Sequence, residues 1–179
     1  MSSKPRLLLL DAGAVFAALR FDAWEALVSA YELLLPSVVV RVEAVFYVTL
    51  EDQRIEIDLP AEVERHRIRE VIMSAAEIDA LRKRFTPDFR ERLDDGELEA
   101  LAYLLKNPDE SMRFVTADGP AIQAVAMLDR DCRVMSLAEV MDRCGYTKPL
   151  PHQFSRDFVK RHVGEGSVRR IQGRGLTGR

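Results

Sequence analysis

Cysteine and histidine are scarce in this sequence. Cys132 and Cys144 are the only cysteines, and neither belongs to a paired-cysteine zinc pattern, so a disulfide framework and a zinc ribbon are both excluded. A reduced, cytoplasmic setting is the expectation that follows. His66, His152 and His162 are scattered, with no His-Glu-x-x-His pattern, and each reads as an ordinary surface or tail residue. A glycine loop followed by lysine and a dinucleotide fingerprint are also missing, which removes the common nucleotide-cofactor classes. Uncharged stretches such as residues 7–10 and 33–40 fall far short of the roughly 20 residues that cross a bilayer, so no membrane span is expected. The basic start leads into a four-leucine run that ends at Asp11, too short for the apolar region of a signal peptide, and export is not expected. No internal repeat is evident.

The chain has 179 residues, 47% of them hydrophobic and 31% charged, the profile of one globular domain with attachments. Its net charge of −3 is unevenly spread: residues 148–179 carry +6, which leaves −9 on residues 1–147. An acidic body repels nucleic acid unless cations occupy it, whereas a basic tail attracts phosphate.

The four-leucine run reads as a strand buried on both faces, ending at Asp11. Residues 14–35 hold apolar positions at helical spacing up to Pro36, and Val38, Val39 and Val40 read as a second buried strand with Glu43 just beyond it. Residues 46–59 alternate as an inserted β-hairpin would. Arg65, Arg67, Arg69, Arg82, Lys83 and Arg84 read as solvated helix faces, or as the lining of an RNA path. Ser74 with Glu77, and Ser136 with Glu139, are capping-box pairs that open helices. Asp94, Asp95 and Gly96 read as a turn and cap before a helix from Glu97 to Lys106. Residues 113–116 and 132–135 read as strands, with Asp118 and Pro120 opening the helix between them. The alternation predicts an α/β fold with a mainly parallel sheet covered on both faces. Beyond residue 147, prolines and glycines break the pattern. One amphipathic helix around Phe154, Phe158 and His162 is expected there, followed by a flexible end.

Ligands of an open parallel sheet bind beyond the carboxyl ends of its strands. Asp11 and Asp118 each follow a strand, Glu97 opens a helix and Glu43 follows the valines, so four carboxylates are expected to converge. Such a group favours Mg²⁺ or Mn²⁺, and a two-metal arrangement can activate water and stabilise a leaving oxygen in phosphodiester cleavage. Simpler roles stand beside this one. Asp11 and Asp118 also suit helix N-caps, and Glu97 is favoured in a first turn by the helix dipole. Glu99 is the alternative to Glu97, with solvent as its expected surroundings. A phosphatase with an aspartate nucleophile would need a second Asp where Gly13 stands.

The segments LLLLDAGAVF (7–16), VVVRVEAVF (38–46), GELEALAYLL (96–105), FVTADGPAIQAVA (114–126) and CRVMSLAEVM (132–141) resemble, in order, the successive blocks of the PIN-domain family. The resemblance implies a three-layer α/β/α fold with sheet order 3-2-1-4-5 over residues 1–147. Residues 46–60 would then be an insertion and residues 148–179 a basic extension. It further implies an Mg²⁺- or Mn²⁺-dependent ribonuclease, often the toxin of a toxin–antitoxin pair and often a homodimer. The metal ligands would be Asp11, Glu97, Asp118 and, directly or through water, Glu43, supported by Thr116. Gly13 departs from the Ser, Thr or Asn common at that position. Apart from the resemblance, the basic charge of the tail makes Lys148, Arg156, Lys160, Arg161, Arg169 and Arg170 candidate RNA contacts, with partner binding or solubility as the other roles of such charge. The alternative is a PIN-like module that binds RNA or protein without cutting it.

Overall fold

The structure is a computed structural model and describes residues 7–178; the basic start at residues 1–6 and Arg179 lie outside them. Its centre is a five-stranded sheet of β1 (Leu7–Leu10), β2 (Glu32–Pro36), β5 (Arg69–Val71), β6 (Arg113–Val115) and β7 (Val134–Met135). The strands lie in the order β5-β2-β1-β6-β7, and every neighbouring pair is parallel. Side chains alternate across a strand, so Leu8, Leu10, Leu33 and Leu35 join one core while Leu9 and Leu34 join the other. The first core is closed by α1 (Ala12–Arg20), α2 (Trp24–Ala30) and α8 (Leu137–Arg143). The second is closed by α4 (Ala75–Arg82), α5 (Pro87–Arg90), α6 (Asp95–Lys106) and α7 (Gly119–Met127). The molecule is therefore an α/β protein with helices on both faces of a parallel sheet. Among the described residues no helix is long and apolar enough to cross a membrane.

Three elements differ from the sequence reading. The run Leu33, Leu34, Leu35 is the strand β2, fully buried, and not the end of a helix. Leucine favours helices, so only burial on both sheet faces decides its state. The valines predicted as a strand instead form a π-helical turn, Val39–Glu43, in which Val39 and Val40 fill the core. Within the arginine-rich stretch read as a helix face, Arg69–Val71 is the edge strand β5. Arg69 pairs with Glu32 at 2.9 Å and Arg41 with Glu70 at 2.5 Å, and such charge on an edge strand discourages pairing with other chains. The hairpin expectation is met by β3 (Phe46–Val48) and β4 (Arg54–Glu56), which pair antiparallel and lead into α3 (Leu59–Glu64). The capping boxes at Ser74 and Ser136 form as expected.

The C-terminal extension docks on the body. Its helix α9 (Arg156–Ile171) packs along α7. A Cβ on Gly166 would lie 2.5 Å from the Gln123 carbonyl oxygen, so glycine is what permits this close approach. Near the end of the extension Leu176 bridges antiparallel to Phe85, and Thr177 N–H donates to the Arg84 carbonyl at 2.8 Å. His162, read as a tail residue, is held between α9 and α7, its Nδ1 3.1 Å from Gln123 Nε2 and 2.9 Å from Glu165 Oε2. Arg133 is fully buried and closes the C-terminal end of α6, donating to the carbonyls of Leu104 (2.6 Å), Asn107 (3.1 Å) and Asp109 (2.5 Å).

Candidate functional site

Three helix N-termini meet beyond the carboxyl edge of the sheet, each opened by an aspartate. Asp11 Oδ1 accepts from Ala14 N–H at 2.7 Å and opens α1 directly after β1. Asp118 Oδ1 accepts from Ala121 N–H at 2.8 Å and opens α7 after β6. Asp94 Oδ1 accepts from Glu97 N–H at 2.7 Å, while Glu97 Oε2 accepts from Asp94 N–H at 3.0 Å, completing a capping box for α6. The same aspartates thus cap helices and converge, because each cap occupies only one carboxylate oxygen. Thr116 ties two of these acids together: its hydroxyl donates to Asp11 Oδ2 and accepts from Asp118 N–H at 3.0 Å.

Asp11, Glu43, Asp94, Glu97 and Asp118 line one cavity of about 280 Å³. All four acids expected from the sequence are therefore brought together. Asp94, read from the sequence as a turn and cap residue, joins them as a fifth. Among the described residues no lysine, arginine or histidine lines the cavity, so none of them offsets its negative charge. Burial lifts the Asp11 carboxyl to about 7, against the hydrogen bonds from Thr116 and Ala14, and the charges of Asp118 and Asp94 add to the rise. Burial likewise carries Glu97 well above the ordinary carboxylate range, helped by Asp118, Asp94 and Asp11. Glu43 and Asp94 are raised too, chiefly by loss of water.

This donor set fits a hard divalent cation: several carboxylate oxygens in a cavity whose anionic form is costly without a counter-charge. Among the described residues no three His, Cys, Asp or Glu side chains are drawn into a ready-made cage. Their oxygens are held by cap and hydroxyl hydrogen bonds in this conformation. At Gly13 a Cβ would lie 3.6 Å from Asp11 Oδ1, an ordinary contact, so the absent hydroxyl does not reflect lack of room.

Glu43 reaches the cavity from the π-helical turn, and its carboxylate lies against Gly96 in the first turn of α6. A Cβ on Gly96 would come within 2.6 Å of Glu43 Oε2. Gly96→Ala is therefore expected to push Glu43 out of the cavity and, for a metal-dependent active site, to lower activity at least tenfold. The melting temperature should change little, since alanine favours the helix. Unfolding scans beside rate measurements test this, and an active Gly96→Ala chain would show Glu43 to be dispensable.

Glu99, expected to face solvent, is buried and outside this cavity. It accepts from Ser37 Oγ (2.8 and 2.9 Å), Val38 N–H (3.0 Å) and Met73 N–H (3.0 Å), joining the loops that follow β2 and β5. Glu99→Ala would strand one buried donor, Met73 N–H, and two part-buried ones, Ser37 Oγ and Val38 N–H, at a cost of roughly 2 kcal/mol in urea unfolding. A small loss of stability there would mean that water replaces the carboxylate.

Of the tail cations, Arg156 faces Glu139 at 3.6 Å and Asp142 at 3.5 Å, Arg161 lies 3.8 Å from Glu165, and Arg170 pairs with Asp129. Arg169 stacks over Phe89 at 5.6 Å, and Lys148 and Lys160 are exposed. None of the six lines the acidic cavity. The extension does contribute Gln153 and Phe154 to its wall, a placement that no local sequence signal announces. Compared with models of known families, with characterised proteins and with solved structures, the chain finds no match.

Proposed function

We propose that this chain is a metal-dependent endoribonuclease of the PIN-like kind. One observation carries the reading: five carboxylates from separate parts of the chain line one cavity beyond the carboxyl edge of a parallel sheet, with no basic side chain among the described residues of its wall. Counted along the chain without the hairpin strands, the sheet reads 3-2-1-4-5, which supports the same assignment.

In this reading Asp11, Glu97 and Asp118 hold Mg²⁺ or Mn²⁺, and Glu43 completes the set directly or through water. A divalent cation there would offset the carboxylate charge, polarise a phosphodiester and lower the pKa of water. The chain's own contributions are positional. Thr116 fixes Asp11 and orients the backbone N–H of Asp118, so the first and last acids move as one unit. The N-termini of α1, α6 and α7 present partial positive charge toward an incoming phosphate. Gly13 keeps side-chain bulk out of the cavity wall at the start of α1, whereas Gly119 makes room for the His162 ring, 2.7 Å from where a Cβ would lie.

A homodimer and a protein antitoxin belong to this proposal as partners that the resemblance implies, and a cytoplasmic setting as its location. A non-cutting RNA-binding module remains the competing reading. The two separate in a cleavage assay: purified chain with Mn²⁺ should degrade single-stranded RNA and lose that activity in EDTA. Persistence in EDTA would remove the metal from the reading, and inertness with every divalent ion would favour the silent module.

A further inference from the structure

A second cavity, of about 550 Å³, opens beside the acidic one and shares Gly13, Glu43, Gln153 and Phe154 with it. Its character is different. Phe16, Phe21, Phe46, Tyr47 and Phe154 line it, and among the described residues Arg20 and Glu43 are the charged groups in its wall. Three separate parts of the chain build it: helix α1, the hairpin strand β3 and the turn at the start of the C-terminal extension. The hairpin and the extension are the two segments that the metal site alone does not require. The aromatic wall is braced on both sides. Arg54 lies 3.6 Å over the Phe46 ring, and Phe21 meets Phe154 edge-to-face at 6.5 Å.

We propose that this cavity is a base-binding subsite, which takes one unpaired base of a single-stranded RNA whose phosphodiester lies in the acidic cavity. The inference rests on the ribonuclease reading of that neighbouring site. An occupant that spans both cavities must join a flat apolar group to an anionic one, and a nucleotide has that construction. The volume falls within the roughly 300–1,000 Å³ usual for small-ligand sites. Aromatic side chains stack on any base because every base has a π-face, so the subsite favours unpaired strands and reads sequence weakly. Arg20 offers the adjoining phosphate a cation that the acidic cavity lacks. A paired duplex keeps its bases inside the stack and cannot fill the cavity.

The test measures binding, not cleavage. The full chain carrying Glu97→Gln, which cannot cut in this reading and repels phosphate less, is titrated without metal into a short single-stranded RNA bearing one 2-aminopurine. The fluorophore should be quenched on binding. The same RNA with an abasic position there should bind about tenfold more weakly. Tyr47→Leu and Phe16→Leu keep apolar bulk without the ring; each should reduce the preference for base over abasic RNA severalfold without lowering the melting temperature. Equal affinity for the two RNAs, no measurable binding, or a full preference surviving in both variants would overturn the subsite. Cleavage by the unaltered chain without base preference would sink the subsite alone. Base-dependent binding without any cleavage would keep the subsite and sink the nuclease reading.

Discussion

Asp11→Asn is expected to reduce divalent-ion-dependent cleavage of single-stranded RNA about a thousandfold or more while leaving the fold intact or more stable. Asp11 is 6% exposed, receives hydrogen bonds from Ala14 N–H and Thr116, and shares its cavity with Glu43, Asp94, Glu97 and Asp118. Asparagine keeps the shape, and its carbonyl oxygen can still cap α1. In the proposed nuclease it removes one anionic ligand from the cation site. Such a site contributes several kcal/mol of charge stabilisation in the transition state, and about 1.4 kcal/mol corresponds to tenfold in rate. Stability should move the other way, because the substitution removes a buried carboxylate whose ionisation is costly near pH 7. Unimpaired cleavage by Asp11→Asn, with the protein folded, would remove the acidic cavity from the chemistry.

The second large effect is on stability against pH. Burial raises the Asp11 carboxyl from 3.8 to about 7, so the folded chain binds a proton that the unfolded chain has already released. The group's contribution is therefore complete below pH 4 and is lost as pH rises through 7. Between pH 5.5 and 8 the metal-free protein should lose roughly 2 kcal/mol from this group, or about 4–8 °C in melting temperature. Glu97 acts in the same direction at higher pH, since burial and the same neighbouring acids raise it as well. A cation that replaces the proton should reverse the loss: Mn²⁺ at a hundred times its dissociation constant adds about 2.7 kcal/mol. Its effect should be larger at pH 8 than at pH 5.5, where protons compete for the same oxygens. Melting curves at the two pH values, with and without Mn²⁺, measure this. A metal-free chain more stable at pH 8 than at 5.5, or an Mn²⁺ shift unchanged by pH, would show that the acids are not charged against one another as described.

The dual use of the acids also explains why the site tolerates so many carboxylates. Asp11, Asp94 and Asp118 each receive backbone N–H donors at a helix terminus, where partial positive charge offsets part of the repulsion. Glu97 serves its own capping box at the same time. Helix caps and the acids of the cavity are thus the same side chains, and a substitution there changes both.

The sequence by itself determined the features that depend on near neighbours. The four-leucine strand, the capping boxes at Ser74 and Ser136, the caps at Asp94 and Asp118 and the hairpin's alternation are set by residues within a few positions of one another, so their patterns are legible in one dimension. It also marked Asp11, Glu43, Glu97 and Asp118 as acids at the ends of elements. Only the tertiary structure decided which of two equally apolar runs became a strand. Leu33 to Leu35 found two sheet faces to fill, while the valines after them were turned into a helical bend whose Ser37 and Val38 are tied to Glu99. Glu99 is separated from Ser37 by 62 positions and from Met73 by 26, and no local rule relates such residues. The same holds for Asp94 in the acidic cavity, and for α9 and Phe154 against the body. Their surroundings come from chain segments that meet only when the sheet is assembled, and burial, unlike helix capping, depends on what arrives from elsewhere.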